Sequence, residues 1–249
     1  WGKCVDIMNY LFFDDYGEMS AHAGHTVLSE LKKKREIRIC AATGNSPTAT
    51  YDFLAKQYLN GPELFEGLQI VKLDEWGGLA DTHPGSCEYY LQKHLLKPLN
   101  VSNDRYTGFG TNPQNARQEC ERIQQKIENK GLIDLCILGL GKNGHIGFNE
   151  PDHHLQPYCH VAPLSETSQN HGMVKDLNQK PSYGMTLGMQ NILTAKKIIL
   201  LVHGTGKEKA ISILKEKIIT PQWPATFLWL HPDVECLEVK TPDFPEQFG

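Results

Sequence analysis

Five short apolar runs punctuate this chain, and they restrict its fold more than any other feature. They are Glu36–Ala42, Leu68–Leu73, Leu135–Leu140, Lys197–Val202 and Val234–Val239. Most are apolar throughout rather than alternating, so both sides of each strand are expected to be buried, as in a parallel sheet covered by helices. The intervening segments read as helices: Ser20–Lys34 with a basic last turn, Pro47–Leu59 with proline near its first position, Pro84–Leu99, Asn112–Lys130 and Gly206–Lys217. Ala225–His231 is a short apolar element. Strands alternating with helices imply right-handed crossovers. The expected fold is α/β: a doubly wound, mainly parallel sheet with helices on both faces, Rossmann-like in its three layers. A chain of 249 residues suits a single domain with one sizeable core. Residues 152–182 show no regular pattern and are expected to form a mobile cover over a site.

Composition excludes several classes of function. A net charge of −4 with scattered basic residues speaks against nucleic acid and anionic membrane as partners. No apolar run approaches the roughly 18 residues of a transmembrane helix, and the residues given show no signal-peptide pattern. The seven cysteines are irregularly spaced without a CxxC. Cys40 and Cys136 fall inside strands, where they act as small hydrophobes, so the cysteines read as reduced thiols of a cytosolic protein. No His/Cys cluster has ligand spacing, so no metal is expected. The sequence does not decide between a monomer and a homo-oligomer.

The chemistry concentrates at strand ends, where open α/β sheets place their sites. The Leu135–Leu138 run empties into a glycine-rich turn with glycines at 139, 141, 144 and 147, which permit positive φ and close backbone approach. Beyond it stand His145, whose imidazole can act as a general acid or base, and Asn143, Asn149 and Glu150, which can orient it. The bland alternative is a histidine bridging turn backbone. The other ten histidines are scattered without pattern. Thr43-Gly-Asn-Ser-Pro-Thr48 joins a strand to a helix start. Its amides, the positive helix end and the hydroxyls of Thr43, Ser46, Thr48 and Thr50 can hold a phosphate; the alternative is a plain capped turn. Lys72-Leu-Asp-Glu-Trp76 puts two acids at a strand end, with Asp74 the better proton carrier and Glu75 beside it; the alternative is a solvated pair. Gly204-Thr-Gly-Lys207 opens another helix with a lysine, either a second anion site or a solvated start. Trp223 and Trp229 read as core rather than a stacking platform.

Taken in order, these segments resemble the glucosamine-6-phosphate deaminase/isomerase family over nearly the whole chain. ATGNSP resembles its phosphate loop, LDEW its catalytic-acid loop, HPGSCEYYLQKHLLKPL the following helix, GLGKNGHIGFNEP its signature, and GTGK its second lysine-bearing turn. The related 6-phosphogluconolactonases share the glycine–histidine loop but lack the FNEP ending. GKNGH, LDEW and FLWLH look closest to the galactosamine-6-phosphate branch. The resemblance implies a small-molecule sugar phosphate as partner, no cofactor, and isomerisation with deamination of a 2-amino-2-deoxyhexose 6-phosphate. It implies that Asp74 moves a proton between C2 and C1, that His145 opens the pyranose ring, and that Glu150 tunes that imidazole with Asn143 beside it. Thr43, Gly44, Asn45, Ser46 and Lys207 would bind the 6-phosphate, with Glu75 and Gly144 placed in the substrate-binding set. There are two departures. Most of the family has aspartate where this chain has Asn143, so a carboxylate relay through position 143 is excluded and Glu150 carries that role. The family also usually brings an arginine to the phosphate from the irregular region, whereas the arginines here are only 35, 38, 105, 117 and 122. Either Lys175, Lys180 or a neutral group such as Gln169 substitutes, or phosphate binding is weaker. Two rivals remain: a lactone hydrolase of the 6-phosphogluconolactonase type and a non-catalytic sugar-phosphate sensor.

Overall fold

The computed structural model describes residues 8–178 and 180–240. Seven strands form one wholly parallel sheet: β1 (Met8–Phe13), β2 (Ile37–Ala41), β3 (Leu68–Lys72), β5 (Tyr106–Thr107), β6 (Leu135–Gly139), β9 (Lys197–Val202) and β10 (Val234–Val239), in the spatial order β1-β10-β9-β6-β2-β3-β5. The period-two geometry of a strand divides its side chains between two cores. Ile37, Ile39, Ile137, Ile199 and Leu201 pack with α1 (Tyr16–Lys33) and α2 (Asn45–Asn60). Cys40, Cys136, Leu138, Ile198 and Leu200 pack on the other face with α4 (Ala116–Lys130) and α7 (Glu208–Lys215). Both faces are covered, which is why the runs are predominantly apolar. Trp223 and Trp229 pack partly buried against the second core.

The order places a switch point between β2 and β6. From β2 the chain works outward through β3 and β5, and from β6 it works the opposite way through β9 and β10. The loops leaving β2 and β6 therefore diverge and leave a crevice at the carboxyl edge.

Three expectations need correction. The edge strand β1 went unread, and α1 begins at Tyr16 rather than Ser20, capped by the Asp15 carboxylate on the amide of Glu18 at 2.8 Å. The segment Pro84–Leu99 is helical only from Cys87: α3 (Cys87–Leu91) passes into a wider π turn over Gln92–Leu96. Residues 152–182 are not without regular structure. They supply β7 (His160–Pro163) and α5 (Glu166–Gln169), and β7 joins β8 (Tyr183–Thr186) and β4 (Asp74–Trp76) in a second, antiparallel sheet in the order β4-β8-β7. Asp74 thus stands on a strand rather than in a loop. Trp76, Phe148, Ala162, Leu164 and Val174 form a small core beneath this sheet. A short helix α6 (Met189–Leu193) leads into β9. Among the described residues, no helix is long and apolar enough to cross a membrane.

Candidate active site

The crevice holds a cavity of about 590 Å³ lined by Thr43, Gly44, Asn45, Ser46, Asp74, Lys142, His145, Ser168, His171 and Lys207, among others. One end has a geometry that suits an anion. Gly44 precedes α2 at φ 102°, a left-handed conformation that glycine tolerates. No side chain caps α2 and its first turn holds no acid, so the positive end of a 16-residue helix faces the cavity. Tyr16 braces the turn, its hydroxyl donating to the Asn45 carbonyl and accepting from the Ala49 amide at 3.0 Å. Lys207, just before α7, donates from Nζ to Ser46 Oγ at 3.2 Å. Burial, with the Lys142 charge adding to it, lowers the Lys207 ammonium to about 8. Thr48 and Thr50 do not line this end: Thr48 donates back to the Gly44 carbonyl at 2.9 Å, and Thr50 is buried.

The other end holds the titratable groups. His145 sits in a tight turn closed by two bonds of 3.0 Å, from Gly141 N–H to the His145 carbonyl and from Gly144 N–H to the Gly141 carbonyl. A side chain on Gly141 would lie 2.4 Å from the imidazole, so the ring packs directly on glycine backbone. Glu150 stands behind the ring, its Oε2 3.5 Å from His145 Nδ1. Asn143 Nδ2 donates to the same oxygen at 3.0 Å, and Ser168 Oγ donates to Glu150 Oε1. Burial pushes the Glu150 carboxyl up, but His145, Ser168 and Asn143 together hold it down at about 2, so it is an anion at neutral pH. The neutral Asn143 therefore still serves the dyad, as a donor to Glu150.

Asp74 is 8% exposed and faces the same cavity. Burial pushes its carboxyl up to about 7, the Glu75 charge adding to the rise while His145, Lys72 and a weak bond from Cys87 Sγ at 3.9 Å oppose it. A carboxyl poised there can both take and return a proton near neutrality.

Other residues named from the sequence lie outside the cavity lining. Glu75 does not line the cavity; its buried carboxylate accepts from the amides of Trp76 and Cys87 at 2.9 Å and of Glu88 at 2.8 Å, and pairs with buried Lys72 at 2.8 Å. It caps α3 and ties that helix to β4. Gly144 is also off the cavity: it turns the chain at φ 79° and its carbonyl accepts from Ala225 N–H at 2.8 Å. Asn149 does not orient His145. Its Nδ2 donates to the Ile146 and Leu187 carbonyls at 2.9 Å, strapping the loop to the end of β8. None of Lys175, Lys180 and Gln169 lines the cavity; Lys180 bonds Asn170, and Gln169 bonds the Leu164 carbonyl at 3.2 Å. The cavity-lining side chains beside Lys207 come instead from Lys142 and His171. Ser168 and His171 carried no signal, being a serine in an irregular stretch and one of many scattered histidines.

Comparison with known proteins agrees with this geometry. Residues 16–236 match the family described as glucosamine-6-phosphate isomerases/6-phosphogluconolactonase. The chain is 40% identical over 224 residues to "Putative deaminase AgaI" of Escherichia coli (strain K12), covering 90% of this chain and 89% of that protein. It is 35% identical over 232 residues to the glucosamine-6-phosphate deaminase of Thermoanaerobacter pseudethanolicus, covering 92% of each. A solved monomeric glucosamine-6-phosphate deaminase superposes with a TM-score of 0.87 at 30% identity, over 94% of this chain and 98% of the other. The 6-phosphogluconolactonase of Thermotoga maritima superposes at 0.75 with only 16% identity, over 94% of this chain and 100% of that one, and so shares the fold. The chain belongs to the family of glucosamine-6-phosphate isomerases and 6-phosphogluconolactonases, as an enzyme of its deaminase/isomerase kind.

Proposed function

We propose that this enzyme isomerises and deaminates galactosamine 6-phosphate, giving tagatose 6-phosphate and ammonia. The carrying observation is the Asp74 carboxyl, held near neutrality on the wall that also presents His145, across from an anion-binding helix start. The 6-phosphate lies against the amides of α2, Ser46 and Lys207. His145, backed by Glu150, returns a proton to the ring oxygen and opens the pyranose to an aldehyde. The aldehyde acidifies C2–H, and Asp74 removes that proton to leave an enolamine. Asp74 then delivers the proton to C1, giving an iminium at C2. Water adds to C2, ammonia leaves, and the ketone remains. Each group acts by general acid–base transfer, worth about 10²–10⁴ in rate apiece.

The choice of the galactosamine epimer rests on the Asn143-Gly-His signature and the Asn143 amide bond to Glu150. Inversion at C4 is read by one hydroxyl, for which a buried polar partner can discriminate strongly. Ammonia release from galactosamine 6-phosphate and glucosamine 6-phosphate, assayed side by side with the ketose identified, tests this. The proposal expects the higher kcat/KM with the galactosamine substrate. A preference for glucosamine 6-phosphate overturns the epimer, and lactone hydrolysis without ammonia from either amino sugar overturns the reaction. The six described cysteines are free thiols, which supports a reducing, cytosolic setting.

A further inference from the structure

One side chain in the cavity has no part in the proton transfers above. His171 lies in the turn after α5 and lines the cavity. Its Cε1 and Nε2 lie 3.5 Å from the point where a side chain on Gly44 would begin, so this edge of the ring faces the phosphate loop. The opposite nitrogen is engaged: Nδ1 accepts from the Met173 amide at 3.3 Å. A neutral imidazole accepting at Nδ1 carries its hydrogen on Nε2. We propose that His171 is a phosphate ligand, presenting Nε2–H as a neutral donor across from the N-terminus of α2. The proposal rests on the reading of this end of the cavity as the phosphate site.

The surroundings explain why the donor is neutral. Lys142, Lys207 and His145 are the groups whose charge acts on His171, Asp74 lines the same cavity, and the Trp76 ring lies 5.8 Å from the imidazole. Burial first, then His145, Lys207 and Lys142, lower the imidazole to about 4. A third full positive charge beside two lysines would repel them whenever the site is empty. A neutral N–H avoids that cost and still gives the phosphate a directed bond. Position matters too: α5 and the turn after it also carry Ser168, which bonds Glu150. The segment that grips the phosphate therefore also supports the His145–Glu150 dyad.

Sulfate tests this, because it stays a dianion across the useful pH range. Its inhibition constant against the hexosamine 6-phosphate substrate is to be measured for wild type, His171→Phe, His171→Gln and Lys207→Met, with thermal melts confirming folding. The proposal expects His171→Phe to weaken sulfate and raise KM by about 10- to 100-fold, the usual worth of a hydrogen bond to a charged group, with kcat little changed. His171→Gln, which keeps a neutral N–H donor, should recover part of the loss. The ratio of wild-type to His171→Phe affinity should stay flat from pH 5.5 to 7.5. A ratio falling about tenfold per pH unit would mean an imidazolium and overturn the neutral donor. If Lys207→Met weakens sulfate while His171→Phe does not, the role of His171 fails and the phosphate site stands. If neither variant moves sulfate binding, the phosphate site itself fails.

Discussion

Replacing Asp74 with asparagine should abolish most turnover and, at the same time, stabilise the protein at alkaline pH. Burial holds the native carboxyl near 7 against an ordinary value of 3.8. The native pKa is raised, so ionisation costs stability from about pH 4 upward, and the whole cost is present above about pH 7. At about 1.36 kcal/mol per unit, three units amount to about 4 kcal/mol. Asparagine does not titrate. Its advantage over wild type should therefore grow by about 3 kcal/mol between pH 5 and pH 8, less whatever an unsatisfied buried amide costs at every pH. For a domain of this size each kcal/mol moves Tm by about 2–4 °C, so the gap in Tm should widen by about 6–12 °C. Denaturant melts at the two pH values read the energy, and ammonia release reads the activity, which should fall about 10²–10⁴-fold. A stability difference that stays constant with pH would refute a desolvated Asp74. Wild-type turnover in the variant would refute its role as proton carrier.

The same ionisations shape the pH profile. kcat/KM should rise through about 7 as Asp74 ionises and fall above about 8 as free Lys207 loses its proton, giving a narrow bell. Lys207→Met should raise KM far more than it lowers kcat and erase the alkaline limb, as initial rates at saturating and limiting substrate will show. Glu150→Gln removes the anion behind His145 and should slow turnover about 10²-fold or more on the pyranose, with a smaller loss on a substrate analogue locked in the open-chain form. Gly141→Ala puts a methyl 2.4 Å from the imidazole and should displace it, lowering kcat while far-UV circular dichroism stays unchanged.

The parallel sheet was legible because its central strands are buried on both sides and so are written as mainly apolar runs, unbroken in Leu135-Cys-Ile-Leu138. The antiparallel sheet was not, because Asp74–Trp76, His160–Pro163 and Tyr183–Thr186 are short, mixed in polarity and joined only by long-range pairing. Edge strand β1 hid for a related reason: its burial alternates irregularly. Residues tied to a glycine-rich strand end, such as His145 and Ser46, could be placed at the cavity from the sequence. The place of Glu75 outside the cavity lining was not legible, because a buried acid satisfied by three amides and a lysine looks, in sequence, like any acid at a strand end. Ser168 and His171 could not be placed at the cavity from the sequence because only the tertiary path of the 164–178 segment brings them there.

The two sheets also act as a ruler. On the proposed reading, the α2 turn and Lys207 of the anion grip are mounted on loops of the large sheet, whereas Asp74, the proposed proton carrier, is mounted on β4 of the small one. Their separation is set by the rigid seat between the plates, where Trp76 packs on Phe148 at 4.5 Å between ring centres and Phe148 fills the space beside Gly184. On that reading chain length in the sugar is gauged by ring packing rather than by a bond to a hydroxyl, and an aminopentose phosphate, one carbon too short, should dock its tail and leave C2 out of reach of the carboxylate.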